Sequence, residues 1–423
     1  MCIHHRVWQV LCGFSLLSAL WAHAEPNLSL DEAMHLASQN QPLLESLDVA
    51  ASASREAAIA AGQLPDPKLK FGVLNLPVTG SDAARLNRDD MTMSTIGVMQ
   101  DVVPRSKRDA AARAMEAASG QYQTEKSSIV RTIRRDIALA WLNVFEAERR
   151  RELYQKAADE MAAERQVMLS QISAGGTQAV EVFKLDAELS MLNDKRLMAL
   201  RDERLARAAL ARWIGAAAQR PLGALPLATA DGQGQAAKEA LEQHPAVLNA
   251  RQMEMVAQSE ADMAKAGRDL DWSWEVMYGK RRSDLSDMVS VQVAIDLPWD
   301  RSNRQDKRLA EKLLLVEKAR KLTEDRKREL DAELENAMAE LDTAKMREQE
   351  HQARLIPAAR SRLQLAQATY SAGKGSLAEI WDARQALIGV EMEHWIILTD
   401  RQRAAAKIDY LLDNSRLNQE QQP

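Results

Sequence analysis

Two acidic residues in the last quarter of the chain have a spacing that suits chemistry. Glu379 and Asp382 lie three residues apart in the stretch SAGKGSLAEIWDARQAL. Positions i and i+3 share one face of a helix, so a helix there presents both carboxylates to one side. The similar stretch SAGGTQAVEVFKLDAEL has Glu181 and Lys184 at the matching places and lacks the acidic pair. A solvated helix face is the alternative interpretation of these charges.

Side chains suited to metal ions are few and scattered. Met91, Met93 and Met99 share one face of a predicted strand, and their thioethers suit Cu(I) or Ag(I). Methionine in such a place more often fills space or faces lipid. No CxxC, HExxH or similar ligand spacing surrounds the scattered histidines, which are His35, His244, His351 and His394. We therefore expect no built-in metal site and no cofactor.

Composition and motifs argue against several classes of function. The chain has no nucleophile elbow, P-loop or dinucleotide-binding loop, which argues against an enzyme. A formal net charge of −5 argues against nucleic acid as a main partner. Residues 1–24 have the basic start, short apolar core and small residues of a secretory signal peptide. Both cysteines lie in that segment, so stability must come from packing or assembly.

The sequence contains an internal duplication. ASQNQPLLESLDVA is similar to ALEQHPAVLNARQM, GVMQDVVPRSKR is similar to VAIDLPWDRSNR, and a glycine-containing phrase follows in each half. A period of about 200 residues indicates duplication of a whole structural repeat rather than a solenoid. We predict a first repeat over 25–219, a linker over 220–235, a second repeat over 236–413 and a polar tail over 414–423.

Four segments alternate apolar and polar residues, which predicts β-strands. They cover 68–73, 92–102, 272–279 and 289–296. One apolar face and a length of about ten residues suit a tilted membrane strand, and a half-buried hairpin in a soluble domain is the alternative. Four strands cannot close a barrel, and an open edge in lipid leaves backbone groups unpaired. Several chains would therefore share the barrel, and three chains would give twelve strands.

Two very long helices are predicted, over about 104–171 and about 298–370. Apolar residues recur there every three or four positions, as in packed helices, and a kink is expected at Pro357. Each helix would be roughly 100 Å long at about 1.5 Å per residue.

A tight turn would join each long helix to a returning helix. Glycines allow the reversal, and a hydroxyl residue is suited to cap the next helix. These residues are Gly175, Gly176 and Thr177 in the first half, and Gly373, Gly375 and Ser376 in the second. An ordinary helix-hairpin turn explains the glycines by itself.

The duplication, the two strand pairs, the long helices and the two glycine-containing phrases together resemble the TolC family of outer-membrane efflux channels. The resemblance covers essentially the whole mature chain. LPDPKLKFGVLNLPV and YLLDNSR are more similar to the heavy-metal-efflux, CzcC/CusC-like branch. The family implies a mainly α fold with a membrane β part: a homotrimer with a twelve-stranded β-barrel in outer-membrane lipid, four strands from each protomer, and a long periplasmic α-helical barrel. It also implies a periplasmic adaptor (membrane fusion) protein and an inner-membrane RND pump as partners.

The resemblance assigns roles to the residues above. Glu379 and Asp382 match the acidic ring of the family's periplasmic gate, and rings of carboxylates select cations. The two turns match the tips that meet the adaptor. The expected function is the outer-membrane channel of a tripartite efflux system that exports heavy-metal cations. A multidrug channel and a periplasmic coiled-coil adaptor or scaffold are the alternatives, although adaptors normally have one hairpin and soluble β domains.

Overall fold

The computed structural model describes residues 27–38, 41–173, 179–226 and 235–413. The predicted signal peptide, the turn with Gly175, Gly176 and Thr177, half of the predicted linker (227–234) and the polar tail lie outside the described residues. Within these ranges, no helix combines the length and the apolar character needed to cross a membrane.

Helices dominate the structure, as the sequence predicts. In chain order they are α1 Leu30–Ser38, α2 Pro42–Ala61, α3 Arg105–Ser173, α4 Ala179–Ile214, α5 Gln235–Glu242, α6 Pro245–Ala266, α7 Gln305–Glu350, α8 Ile356–Ser371 and α9 Leu377–Leu412. A 3-10 turn over Gly215–Gln219 follows α4, and a π-helical turn over His351–Leu355 joins α7 to α8.

The four predicted strands are confirmed and form one antiparallel sheet. They are β1 Lys68–Leu74, β2 Met93–Val102, β3 Trp272–Lys280 and β4 Met288–Ile295, paired in chain order. Because β2 pairs with β3, the sheet joins the two halves of the chain. β1 and β4 have seven and eight residues, close to their predicted ranges but fewer than the ten or so expected of a membrane strand.

The second long helix differs from its prediction at two places. It begins at Gln305 because Asp300 accepts hydrogen bonds from the Ser302 hydroxyl (3.2 Å) and the Asn303 N–H (3.3 Å), which forms a turn first. The kink expected at Pro357 takes the form of the π turn that precedes it. Proline has no N–H to continue the α-helical ladder, so the chain accommodates it with a wider turn.

The predicted apolar seams are buried where the long helices pack. Ile133, Ile137 and Val144 of α3 lie in a core with α1 and α4. Leu330 and Leu341 of α7 lie in a second core with α5, α6 and α9. The 3.6-residue periodicity therefore identified the packed faces correctly.

The start of the predicted linker is anchored rather than free. The Leu28 N–H donates to the Pro221 carbonyl (2.8 Å), and the Gly223 N–H donates to the Leu28 carbonyl (3.0 Å). Arg220 also pairs with Glu32 at 2.7 Å. These bonds attach the end of the first half to the described N-terminal segment.

Candidate functional site

One face of the sheet is apolar and open. Residues paired directly across antiparallel strands lie on the same face, and the register puts Phe71, Ile96, Tyr278 and Val289 in one row. Phe71 is 82% exposed. Neighbouring rows on this face add further large apolar side chains: Leu69, Val98, Val276, Val291, Val293 and Ile295. A large exposed apolar surface indicates contact with lipid or protein.

The opposite face of the sheet is polar and ion-paired. Lys70 pairs with Glu275 of β3 at 2.6 Å, and Lys68 pairs with Asp101 of β2 at 2.6 Å. Gly97 also lies on this face, where a Cβ atom would come within 2.8 Å of the Val276 carbonyl oxygen. An apolar face and a polar face on the same four strands are typical of a barrel wall between lipid and water.

Both outer strands of this sheet have an unpaired edge. Within the described residues, β1 pairs only with β2, and β4 pairs only with β3. Each edge presents backbone N–H and C=O groups to another strand.

Backbone geometry fixes the turn between α8 and α9. Gly373 has a φ of 70°, in the left-handed region that favours glycine. Its N–H donates to the Tyr370 carbonyl (2.9 Å), and the Lys374 N–H donates to the Thr369 carbonyl (3.0 Å). This pair of bonds is the Schellman motif that ends α8.

A capping box starts α9 and involves one of the two predicted gate residues. The Ser376 hydroxyl accepts from the Glu379 N–H (3.3 Å), and the Glu379 carboxylate accepts from the Ser376 N–H (3.3 Å). The prediction that Ser376 caps the returning helix is confirmed. The capping role of Glu379 was not predicted, although Ser-x-x-Glu before an apolar residue is the signature of a capping box.

Glu379 and Asp382 lie on the exposed side of α9. The buried side carries Leu377, Ile380 and Trp381, which pack against α3 and α4. Asp382 has no ion pair or hydrogen bond to another residue in the part of the chain that the structure describes. The two acidic side chains therefore share a solvent-accessible face just after the turn, but only Glu379 forms a hydrogen bond there.

The first hairpin lacks a free acidic pair, as its sequence predicts. Lys184 pairs with Glu181 at 2.9 Å on α4. Near the turn, polar contacts hold α9 to this hairpin: Arg384 pairs with Glu164 of α3 at 2.6 Å, and Gln385 donates to Glu188 of α4 at 2.9 Å. The hairpins are joined near the turn by both apolar and charged contacts.

The methionine prediction needs a correction. Met91 precedes β2 instead of lying within it, and its N–H donates to Asp89 (2.8 Å). Met93 packs over Gly279, where a Cβ atom would come within 2.6 Å of the Met93 sulfur. Met93 therefore fills space, which is the alternative considered for it. Met99 lies on the polar face, opposite Lys68. In the described ranges no three His, Cys, Asp or Glu side chains are arranged to hold a metal ion.

A buried charge cluster fixes α3 against α4. Arg207 pairs with Glu148 and, at 3.1 Å, with Glu203, and it also donates to the Ala218 carbonyl (2.7 Å). Burial raises the pKa of Glu148, and the nearby Arg207 opposes that rise. The cluster is a structural contact, since it lies far along the chain from the turn and is fully paired.

Comparison with known proteins identifies the kind of fold. Residues 236–413 match the family model described as outer membrane efflux protein. The Campylobacter jejuni CmeC outer membrane channel superposes with a TM-score of 0.76 at 12% identity, covering 92% of this chain and 88% of that one. CusC gives 0.73 at 16% identity, with 97% and 98% covered. The Vibrio cholerae outer membrane protein VceC gives 0.74 at 15%, with 90% and 95% covered. No curated protein sequence matches the chain.

These findings support the predicted TolC-like family. The chain has the fold of a TolC-like channel protomer over nearly its whole length. The family description and the fold are those of transport channels and not of enzymes. They do not favour the heavy-metal branch, because CusC is no more similar in fold than CmeC or VceC.

Proposed function

We propose that this chain is the outer-membrane channel of a tripartite efflux system and that it works as a homotrimer. The observation that carries the proposal is the four-stranded sheet with one apolar face, one ion-paired face and two open edges. In a bilayer the open edges must pair, because unpaired backbone groups in hydrocarbon cost several kcal/mol each. Joining β1 of one copy to β4 of the next satisfies both edges, and three copies give a twelve-stranded barrel.

Exposed apolar residues on the helices support the same assembly. Leu314 of α7 and Phe183 of α4 are each 72% exposed, and Leu365 of α8 is 69% exposed. Helices of a single water-soluble chain rarely leave so many large apolar residues uncovered. In a trimer, neighbouring helical hairpins would cover them and close a periplasmic α-helical barrel.

The turn at the end of α8 is the proposed contact with a periplasmic adaptor protein, which links the channel to an inner-membrane RND pump. Gly373, Gly375 and Ser376 form its described part, and Gly175, Gly176 and Thr177 belong to the corresponding turn of the first half. The Schellman motif and the capping box make the described turn rigid, which suits a docking tip.

Glu379 and Asp382 are the proposed lining of the periplasmic gate. Their exposed position just after the turn, on the side of α9 away from the buried core, supports this role. Three protomers would bring six carboxylates to one aperture and favour cations. Heavy-metal cations are the proposed cargo, on the resemblance to the metal-efflux branch.

Membrane fractionation tests the channel proposal. We expect the protein in the outer-membrane fraction after a salt wash, and as a trimer after detergent extraction. A protein that salt releases from the membrane would support the adaptor or scaffold alternative instead.

Planar-bilayer conductance tests the gate. The double variant Glu379→Gln/Asp382→Asn removes both charges, and glutamine preserves the capping box. We expect it to lose cation selectivity. The variant Asp194→Asn, at an exposed position of α4, is the control and is expected to keep it. Unchanged selectivity in the double variant would contradict the proposed ring.

Growth of a deletion strain tests the cargo. Sensitivity to copper, silver, zinc, cobalt or cadmium would support metal efflux. Sensitivity to dyes and antibiotics alone would support a multidrug channel with the same architecture.

A further inference from the structure

The π turn between α7 and α8 interrupts a helix that is otherwise continuous. It covers His351–Leu355, and the Ile356 N–H donates to the His351 carbonyl five residues earlier. π turns inside helices are rare and often occur at functional sites. The first half has no such feature in its described long helix, since α3 is uninterrupted over Arg105–Ser173.

Two histidines meet at this turn from different helices. His351 is the first residue of the π turn, and His394 lies on α9. Their ring centroids are 6.4 Å apart and their planes differ by 15°. His351 is only 8% exposed. The Nδ1 atoms of both rings are buried without a hydrogen-bond partner among the described residues.

A third histidine shows what a structural buried histidine looks like in this chain. His244 is fully buried, and both of its ring nitrogens have partners. Its Nδ1 accepts from the Ala246 N–H (3.2 Å), and its Nε2 lies 3.1 Å from the Tyr410 carbonyl oxygen. Buried polar atoms normally have partners, so the two unpaired Nδ1 atoms at the π turn need an explanation.

The carboxylates around the histidine pair are already paired with arginines. Glu348 of α7 pairs with Arg401 of α9 at 2.8 Å. Glu391, one turn before His394 on α9, pairs with Arg360 of α8 at 3.0 Å. Neither carboxylate is left as a dedicated counter-ion for an imidazolium.

The other charged residues near the histidine pair are also paired with residues of opposite charge. Arg347 of α7 pairs with Glu393 of α9, and Glu350 pairs with Arg354 at 3.5 Å. From α3, the Arg149 guanidinium lies 5.7 Å from the centre of the Trp395 ring, beside His394. Arg149 is itself paired with Glu152 of α3 at 2.5 Å, so this cation is already balanced as well.

Burial lowers the pKa of His394, and the positive form of His351 would lower it further, while Glu348 and Glu391 oppose the change. The His394 ring is thus suited to be neutral at neutral pH. A proton added to each ring would place two like charges in a partly buried contact.

We propose that His351 and His394 form a proton-sensitive hinge, in which protonation of both rings weakens the packing of the π turn and α8 on α9. The two imidazolium rings repel each other and gain solvation by separating. The segment formed by the π turn and α8 would bend at the π turn, because the α-helical hydrogen-bond ladder is already interrupted there. Because α8 continues directly to the turn at Gly373, opening would change the position of the tip. The hinge itself does not depend on the proposed channel function.

Hydrogen–deuterium exchange of the full-length detergent-solubilised protein tests the hinge. Exchange over residues 351–358 is compared at pH 7.5 and pH 5.5, after correction for the pH dependence of the intrinsic rate. We expect protection in the wild type to fall about tenfold at the lower pH, and helix α3 to serve as the internal reference. The single variants His351→Gln and His394→Gln each remove one of the two charges and should reduce this change. The double variant should abolish it, and His35→Gln, an exposed position on α1, should leave it intact.

The outcomes separate the proposal from its rivals. An equal loss of protection at pH 5.5 in the wild type and in both single variants would overturn the hinge. This comparison needs only the single variants, so it holds even if the double variant does not fold. One equivalent of Zn²⁺ at pH 7.5 provides a second arm. If Zn²⁺ raised protection in the wild type alone, and pH had no effect, the pair would be a metal site and the proton hinge would be wrong. Because the readout needs no conductance, it is independent of the test of channel function.

Discussion

His244 is expected to make this protein less stable in mild acid. Its ring is completely buried at the start of α6, where Nδ1 caps the helix and Nε2 contacts the Tyr410 carbonyl. Burial, assisted by the nearby positive charge of Arg131, lowers its pKa from 6.5 to about 4. A proton on Nδ1 would also remove the acceptor that satisfies the Ala246 N–H. The folded protein therefore favours the neutral ring.

The sign and size of the effect follow from this shift. Above pH 6.5 the ring is neutral in both the folded and the unfolded chain, so stability does not depend on it. Between pH 6.5 and 4 the unfolded chain binds more protons, and stability falls as the pH falls. The full loss is roughly 3 kcal/mol, at about 1.4 kcal/mol per pKa unit. With an unfolding entropy of about 2.1 cal/mol/K per residue, a chain of 423 residues would lose about 3–4 °C in Tm.

The assay compares Tm from pH 8 to pH 4 in the wild type and in His244→Asn. Asparagine is a good helix-capping residue that keeps an acceptor for the Ala246 N–H and does not titrate, but it is too short to replace the contact of Nε2 with the Tyr410 carbonyl. The variant is expected to have a lower Tm at pH 8, because it loses the buried contacts of the ring with Tyr410. The wild type should nevertheless lose about 3–4 °C more than the variant between pH 8 and pH 4. Parallel curves over the whole range would refute the reasoning about His244.

Three further predictions concern stability. Ser376→Ala should cost about 1 kcal/mol by removing the cap of α9, seen as faster amide exchange over 377–381, whereas Glu379→Gln should preserve protection there. Arg207→Met leaves Glu148 buried without its cation and should lower the free energy of unfolding by about 3–5 kcal/mol in a thermal melt. Lys312→Met is the control: it breaks the more exposed ion pair with Glu260 and should cost under about 1 kcal/mol. Gly97→Ala should lower the temperature at which the assembly dissociates on a gel, because its Cβ would meet the Val276 carbonyl, and Gly72→Ala, whose nearest neighbour is 4.0 Å away, should not.

Sequence periodicity predicted most of the fold because both periods reflect burial that repeats along the chain. The alternation in Val289, Val291 and Val293 reports one face of a strand whatever its neighbours are. The recurrence of Leu330 and Leu334 reports the packed side of α7 in the same way. These local patterns can be recognised in the sequence without knowing which element packs against them. The start of α7 was less well predicted, because the Asp300 turn competes with the helix over a few residues only.

Contacts between distant residues could not be read from the sequence in this way. His351 and His394 appeared scattered, because their contact depends on how α9 returns along α7 and on the extra residue of the π turn. The cap formed by Glu379 is different, since its signal was local and was present in the sequence. The spacing Ser376-x-x-Glu379 is enough to predict a capping box without knowledge of any distant contact.

The two halves of this chain share an order of elements but differ where movement would matter. α3 runs without interruption for 69 residues, whereas the corresponding helix of the second half is broken into α7 and α8 by the π turn. At the turns, Lys184 neutralises Glu181 in the first half, whereas Asp382 is without a cation partner among the described residues in the second. A pair of uninterrupted helices with balanced charges and a pair with a π turn and a free acidic residue are suited to different tasks. If the helices surround a pore, the first hairpin supplies the fixed wall, and the second is the one able both to bend and to present charge to what passes.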